Sequence, residues 1–224
     1  MLRERLIAIA ATLSLLIFCP GTMDGKDSHR FDPAHVVSVV PTMYPDGGTV
    51  SGTVILEATV GKSGRVETIQ VVQGLPKLTE VAERSVRQWK FEPARLGGRP
   101  VAAPILVAFT FSLGLPCSGP VRSPVGRREP PSYEPVKILA AAPAANPAPD
   151  VAFGTATLEV VIDASGAVGK VQVLDGITPL AQEAERSVRH WKFRPAIFEG
   201  TPLATPMIAS FIFSDLPPAQ CSRF

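Results

Sequence analysis

Hydrophobic and polar side chains alternate along residues 52–60, which read GTVILEATV. A period of two is typical of a strand with one buried face. Residues 61–64 follow as a turn in which Gly64 can adopt a positive φ, and a second strand over residues 66–72 should pair antiparallel with the first. The pattern therefore predicts a β-hairpin.

Beyond Gly74 the apolar spacing lengthens to three or four residues, as one face of a helix requires. Pro93 ends this helix, and a glycine turn leads to a last strand. The apolar positions that alternate in that strand are Ile105, Val107, Phe109 and Phe111. The sequence predicts an α+β module in which a three-stranded antiparallel sheet packs on one helix, in the order strand, strand, helix, strand.

The whole pattern occurs twice. Residues 52–112 align with residues 154–214 without a gap, and nearly half of the aligned positions are identical. Such a repeat indicates a duplicated module. The last strand of the second copy carries Met207, Ala209, Phe211 and Phe213 at the alternating positions. The aromatic residues predicted to form the two structural cores are Trp89, Phe91, Trp191 and Phe193.

Composition divides the chain into four segments. Arg3 and Arg5 precede an apolar run at residues 6–18, which is shorter than the roughly 20 residues of a spanning helix. A cleaved signal peptide is favoured over a short membrane anchor. The predicted segments are the signal peptide or anchor at residues 1–21, module 1 at residues 36–113, a proline-rich linker at residues 114–135 and module 2 at residues 136–216.

Charge and candidate chemistry exclude several classes of function. The formal net charge is +2 and basic residues are scattered among acidic ones, which argues against nucleic-acid binding. The three histidines, His29, His35 and His190, lack the spacing of a metal site. No phosphate-binding glycine loop or paired-carboxylate motif occurs in the sequence. We expect no enzymatic activity, no catalytic residue, no metal and no cofactor.

The cysteines leave the redox chemistry open. Cys117 and Cys221 each follow a predicted last strand, and they could form a disulfide in an oxidising compartment. Two unpaired thiols are the alternative, because sequence separation does not determine the distance between Cα atoms. Cys19 would be removed with a cleaved signal, and its lipidation is disfavoured because Phe18 precedes it.

The motifs of both copies resemble the C-terminal domain family of TonB energy transducers. In the first copy these motifs are Tyr44-Pro45, the Gly-x-Val elements at residues 52–54 and 64–66, the Trp-x-Phe-x-Pro-Ala element at residues 89–94 and the Gly-x-Pro-Val turn at residues 98–101. The second copy keeps most of them. It lacks the Tyr-Pro pair and has Leu203 in place of Val101 and Ile197 in place of Arg95.

This resemblance implies a periplasmic, non-enzymatic protein that binds extended segments of an outer-membrane receptor or another envelope protein. In the family, such a segment adds as a strand beside the domain's last strand, where main-chain hydrogen bonds supply the affinity. The peptide-binding edges implied by analogy are residues 105–113 and 207–214. The alternative is that these two strands pair with each other or with a second chain.

Two further functional hypotheses remain. A TonB-type transducer needs a retained inner-membrane helix and a long proline-rich tether, but the segment between Pro20 and Val40 is short and contains only Pro33. An inner-membrane-anchored transducer component is therefore an alternative in which residues 6–18 contact the membrane. The other alternative is a structural envelope protein that associates with itself.

Overall fold

Within the residues that the structure describes, each module contains one helix and eight strands. The computed structural model describes residues 30–45, 50–112, 133–142, 144–147 and 153–214. Module 1 consists of β1 (Phe31–Asp32), β2 (His35–Ser38), β3 (Gly52–Val60), β4 (Val66–Gln73), α1 (Leu78–Val86), β5 (Lys90–Glu92), β6 (Ala94–Leu96), β7 (Arg99–Val101) and β8 (Ala103–Ser112). Module 2 consists of β9 (Tyr133–Glu134), β10 (Lys137–Ala140), β11 (Gly154–Ile162), β12 (Val168–Asp175), α2 (Thr178–Val188), β13 (Lys192–Arg194), β14 (Ala196–Phe198), β15 (Thr201–Leu203) and β16 (Thr205–Phe213).

The three long strands of each module pair antiparallel, as the periodicity predicts. β3 lies between β4 and β8, and β11 lies between β12 and β16. The apolar side of each helix packs on its own three strands, with Leu78, Ala82 and Val86 buried in the first copy. Each module therefore buries the helix-facing side of its sheet.

The two modules do not keep separate sheets, and the prediction of three-stranded sheets is wrong in this respect. β8 and β16 pair in parallel, so that one mixed sheet runs in the order β12-β11-β16-β8-β3-β4. Both strands are buried along almost their whole length. Both faces of a strand that is apolar on both sides must be shielded from water, and the pairing of β8 with β16 contributes to this burial.

The register of this pairing places the two helices on opposite faces of the sheet. Val107 lies beside Ile208, although its counterpart in the repeat is Ala209. Neighbouring residues on paired strands share a face, and a slip of one residue exchanges the faces. Accordingly, Val107 packs in a cluster with the buried residues of α1, whereas Ala209 packs in a cluster with those of α2.

Short strands precede the sheet of each module and begin earlier than predicted. We name residues 30–45 and 133–147 the opening segments. β1 and β2 start before residue 36, and β9 lies inside the predicted linker, where it pairs with β14. The two opening segments meet through aromatic rings, since the centroid of Phe31 lies 4.6 Å from that of Tyr133. The Phe31 ring also stacks on that of Phe198 in β14, at a centroid distance of 4.9 Å. These rings form a second contact between the modules.

Gly64 lets the tip of the first hairpin pack against β5. The N–H of Phe91 donates to the carbonyl oxygen of Gly64 at 3.0 Å. Gly64 has a φ of 75°, and a Cβ at this position would lie 2.0 Å from the carbonyl oxygen of Phe91. The second copy repeats the close approach at Gly166, where the corresponding distance to the oxygen of Phe193 is 2.7 Å. The contact between the hairpin and the short strand after the helix therefore requires the glycine of this Gly-x-Val element.

Among the residues that the structure describes, no helix is long and apolar enough to cross a membrane. The predicted signal or anchor at residues 1–21 lies outside the described part of the chain.

Candidate strand-binding site

The predicted binding edges meet each other in the centre of the sheet. Residues 107–112 of β8 pair in parallel with residues 208–213 of β16, and the six pairs follow without a register shift. The N–H of Ser214 continues the contact by donating to the carbonyl oxygen of Ser112 at 3.2 Å. We name this parallel pair the seam. It realises one of the alternatives open from the sequence, in which the two last strands pair with each other.

The side chains proposed for the edges point into the cores of their own modules. None of the eight is more than 2% exposed. The four in β8 belong to the cluster that contains α1, and the four in β16 belong to the cluster that contains α2: Ile105, Val107, Phe109, Phe111, Met207, Ala209, Phe211 and Phe213. Strand addition beside β8 or β16 would therefore use their backbones, while these side chains stay in the core.

The side chains between them contact the other module. Leu106 and Ala108 of β8 lie in the buried cluster of module 2, and Ile208 and Ile212 of β16 lie in that of module 1. The period-two pattern of the last strands does not predict these contacts. The signal that does is the continuous apolar run at residues 105–109, which is typical of a strand buried on both faces.

The aromatic residues predicted for the structural cores follow the helices within a few residues and are buried. Trp89 packs against Phe91 and Phe109, and Trp191 packs against Phe193 and Phe211 at closely similar centroid distances. The two copies thus place the same rings between helix, short strand and last strand. Each cluster of rings fixes the position of a seam strand.

Each tryptophan also holds its module's opening segment. The indole Nε1 of Trp89 donates to the carbonyl oxygen of Val40 at 3.1 Å, and the hydroxyl of Ser85 donates to the same oxygen at 3.2 Å. In the second copy, Trp191 and Ser187 donate in the same way to the carbonyl oxygen of Ala142, both at 2.8 Å. The paired donors explain why both copies keep a serine on the buried side of the helix.

The Tyr-Pro element of the first copy supports β8. The Tyr44 ring packs edge-on against Phe111 with a centroid distance of 5.7 Å, and its hydroxyl donates to the carbonyl oxygen of Val50. The ring therefore covers the end of a seam strand.

The opening segments pass over the opposite modules. We name the side of each module's three long strands opposite its own helix the back face. The hydroxyl of Thr155 in β11 donates to the carbonyl oxygen of Thr42 at 2.5 Å, across the back face of module 2. On the back face of module 1, the hydroxyl of Ser112 donates to the carbonyl oxygen of Ala144 at 2.8 Å. Each back face thus contacts a segment of the other module.

One charged contact joins the first opening segment to module 2. The Nδ1 of His35 lies 3.5 Å from Oε1 of Glu159, and the N–H of Val36 donates to Oε2 of the same carboxylate at 3.3 Å. The hydrogen bond to Glu159 raises the pKa of His35; burial opposes this, and the carboxylates of Glu159, Glu92 and Asp32 reinforce it. Burial pushes the pKa of Glu159 up, but His35, the Val36 amide and Lys170 together lower it.

The outer strands of the sheet, β4 and β12, are interrupted by irregularities. The ladder between β3 and β4 shifts register near both ends, and so does the ladder between β11 and β12. Bulges of this kind twist an edge strand and hinder the addition of another strand.

The candidates for a disulfide, Cys117 and Cys221, lie outside the described part of the chain. His29 lies outside it as well. Within the described ranges, no three His, Cys, Asp or Glu side chains come together in a way that could hold a metal ion.

Comparison with known families agrees with both copies of the repeat. A family model described as Gram-negative bacterial TonB protein C-terminal matches the chain at residues 49–113 and again at residues 152–214. Together the two matches cover more than half of the chain. Comparison with curated proteins gives no match. The chain therefore belongs to the TonB C-terminal family, with two tandem domains, and this family is non-enzymatic and associated with transport in the Gram-negative envelope.

Proposed function

We propose that this chain is a periplasmic protein without enzymatic activity that binds an extended segment of an envelope partner by strand addition and takes part in outer-membrane transport. The observation that carries this proposal is the seam, in which each predicted edge accepts an extended strand over six uninterrupted pairs. A backbone ladder of this length supplies affinity without requiring a diagnostic set of side chains.

The seam strands are better suited to strand addition than the outer strands. β8 and β16 are ten and nine residues long and pair without a shift along the seam. The ladders of β4 and β12 are shifted near both ends, which shortens the regular stretch that a partner could join. The partner that we propose is an extended periplasmic segment of an outer-membrane receptor or a related envelope protein.

Strand addition predicts a specific dependence on the partner's backbone. Synthetic segments from the periplasmic side of outer-membrane receptors would be titrated against the full mature chain by calorimetry, with amide hydrogen exchange as a second readout. A binding segment should keep the amides of the seam strand that it joins protected and lower the protection of the other seam strand. N-methylation of the segment at alternate residues should abolish its binding because it removes the ladder donors. Equal binding of the methylated segment would contradict the proposed mode.

A structural role is the second candidate, and the two-sided burial of the seam strands favours it. Leu106, Ala108, Ile208 and Ile212 are all nearly inaccessible to solvent. If the modules never separate, the seam amides should stay protected in the presence of every receptor segment that the first experiment tests. Protection that falls when a segment binds would instead support the strand-addition proposal.

Retention of residues 1–19 separates the adaptor from the anchored transducer component. The mass and N-terminal sequence of the protein from fractionated envelope would decide between them. A chain that starts beyond residue 19 in the soluble periplasm supports the adaptor. An intact N-terminus in the inner membrane supports anchoring through the apolar run at residues 6–18.

A further inference from the structure

We propose that β8 and β16 are internal competitors, so that each strand occupies the binding edge of the other module and an outside segment binds only where it displaces the sister strand. This inference rests on the proposed function, because it concerns the edges at which strand addition is proposed. It adds the regulation of those edges and the chemistry of the segment that fits them.

Backbone geometry makes the competition direct. A strand has two hydrogen-bonding edges, and β8 pairs with β3 on one side and with β16 on the other. β16 is likewise enclosed by β11 and β8. A third strand has no free ladder to join at either position, so an incoming segment and the sister strand exclude each other.

Contacts on both faces of the sheet hold the seam closed. Opening it would expose the buried side chains that each seam strand places in the other module's cluster. It would also strain the contacts made by the opening segments, such as the bond from Thr155 to Thr42 and the pair of His35 with Glu159. If only a small fraction of molecules is open, the apparent dissociation constant for a segment rises by the inverse of that fraction.

The sister strand shows what kind of segment fits. Ile208 lies beside Val107, Ser210 lies beside Phe109 and Ile212 lies beside Phe111. A small residue, Ser210, therefore stands beside the ring of Phe109, and β-branched residues precede and follow it on the same face. The segment that fits β8 runs parallel to it, is extended and uncharged, and alternates β-branched with small residues on the face that α1 covers.

The probe for this proposal is a fluorescent peptide with the sequence of residues 205–213, flanked by lysines for solubility. Its binding to the full chain would be measured by anisotropy, with an N-methylated version of the peptide as the control. A loosened variant, Ile208→Ser with Ile212→Ser, weakens the seam from β16. Leu106→Ser weakens it from β8 and guards against a folding defect in the first variant.

A disulfide that keeps the seam closed, here called the lock, tests the same edge by preventing its opening. Ala108 and Ala209 are direct neighbours across the seam and lie in one buried cluster. Ala108→Cys with Ala209→Cys, in a chain whose three native cysteines are replaced by serine, would place a disulfide across the seam. The same protein under reducing conditions is its matched control. Failure of the disulfide to form under oxidation would itself argue against the pairing.

We expect the loosened variants to bind the peptide at least about tenfold more tightly than the wild-type chain, and the oxidised lock to bind none until it is reduced. Equal binding by the oxidised and reduced lock would overturn internal competition while leaving strand addition at another edge. If the β8 amides of a loosened variant exchange freely, its edge is open. Strand addition itself would then be refuted if the variant bound neither the probe peptide nor its N-methylated version, or bound both equally.

Discussion

Ser85 and Ser187 occupy buried helix positions that alanine would fill without a polar group. Their partner is a carbonyl oxygen from the opening segment, about 45 residues earlier in the chain, at Val40 or Ala142. The sequence places the serines on the buried side of the helix, but periodicity within the helix does not show what they bind. Long-range hydrogen bonds of this kind require the tertiary structure.

The two serines should differ in what their loss costs. In the first copy, the Ser85 hydroxyl also lies 2.6 Å from the buried hydroxyl of Thr42, whereas the repeat has Ala144 at that position. Ser85→Ala should therefore lower the free energy of unfolding by about 1 kcal/mol more than Ser187→Ala, because Thr42 loses its hydrogen bond. Chemical denaturation of both variants checks the difference.

Thr42→Ala supplies the control for this comparison. It makes the first copy resemble the second at this position, so the cost of Ser85→Ala should fall to that of Ser187→Ala in its presence. A cost that stays unchanged would show that the Thr42 hydroxyl does not depend on Ser85.

Gly64 and Gly98 should respond differently to the same substitution. Both have a φ between 70° and 80°, but a Cβ on Gly98 meets nothing within 4 Å, whereas one on Gly64 meets the Phe91 carbonyl oxygen. Gly98→Ala should cost about 1 to 2 kcal/mol for the left-handed backbone alone. Gly64→Ala should cost about 2 to 4 kcal/mol, because the hairpin must also move away from β5.

Thermal unfolding of these two alanine variants measures the difference. Equal destabilisation would mean that the hairpin can move from β5 without loss, and that only the backbone angle requires glycine at residue 64. Gly98 is a matched control because its turn, between β6 and β7, is exposed to solvent.

At the level of elements, the sequence predicts what is local. The hairpins, the helices and the alternating residues of β3 and β11 follow from period and turn residues, and the structure has them within a few residues of the predicted positions. The opening segments were harder to predict because their strands are short and pair with short strands after the helix, such as β2 with β5. A strand of four residues gives too little periodicity to identify.

The first opening segment should bind module 2 in a pH-dependent way. Because the folded-state pKa of His35 is raised, its contribution is full below its ordinary value of 6.5 and is lost as the pH rises through the raised pKa. Because the folded-state pKa of Glu159 is lowered, its contribution is present above its ordinary value of 4.5 and is lost as the pH falls through the lowered pKa. The contact is strongest between these limits.

Hydrogen exchange of residues 35–42 measures this dependence directly. Protection should fall as the pH rises from about 6 to 8, after correction for the intrinsic exchange rate, and His35→Gln should remove the fall. His190→Gln is the control, since the His190 ring bonds to the Arg186 carbonyl on its own helix and should leave the fall in place. A fall that persists in His35→Gln would assign the pH dependence to another group.

At the scale of the whole molecule, each buried cluster contains side chains of both modules. We therefore expect the chain to unfold in one cooperative transition, with equal calorimetric and van't Hoff enthalpies, instead of as two independent domains. The sequence alone does not predict this cooperativity. The slip between β8 and β16 is a relation between two distant strands, and no local pattern records it.

Ile212 tests this cooperativity, because it belongs to a strand of module 2 but packs in the cluster of module 1. Ile212→Ala should cost about 2 to 4 kcal/mol and shift the single transition as a whole. Val71→Ala, on the exposed part of β4, is the control and should change stability by about 0.5 kcal/mol or less. Two separate transitions, of which only one moves, would contradict the prediction.

The pairing of the two last strands in the seam has a consequence for the number of copies that such a repeat can contain. The two modules join through the same element, as in a closed two-fold dimer, and not through the end of one and the beginning of the next. Because β8 and β16 already occupy each other's edges, the last strand of a third tandem copy would have no edge to pair with and would remain an unpaired apolar strand. Modules that join in this way therefore pair two by two, and all last strands are paired only when the number of copies is even. Solenoid repeats, in contrast, can be extended by any number of copies.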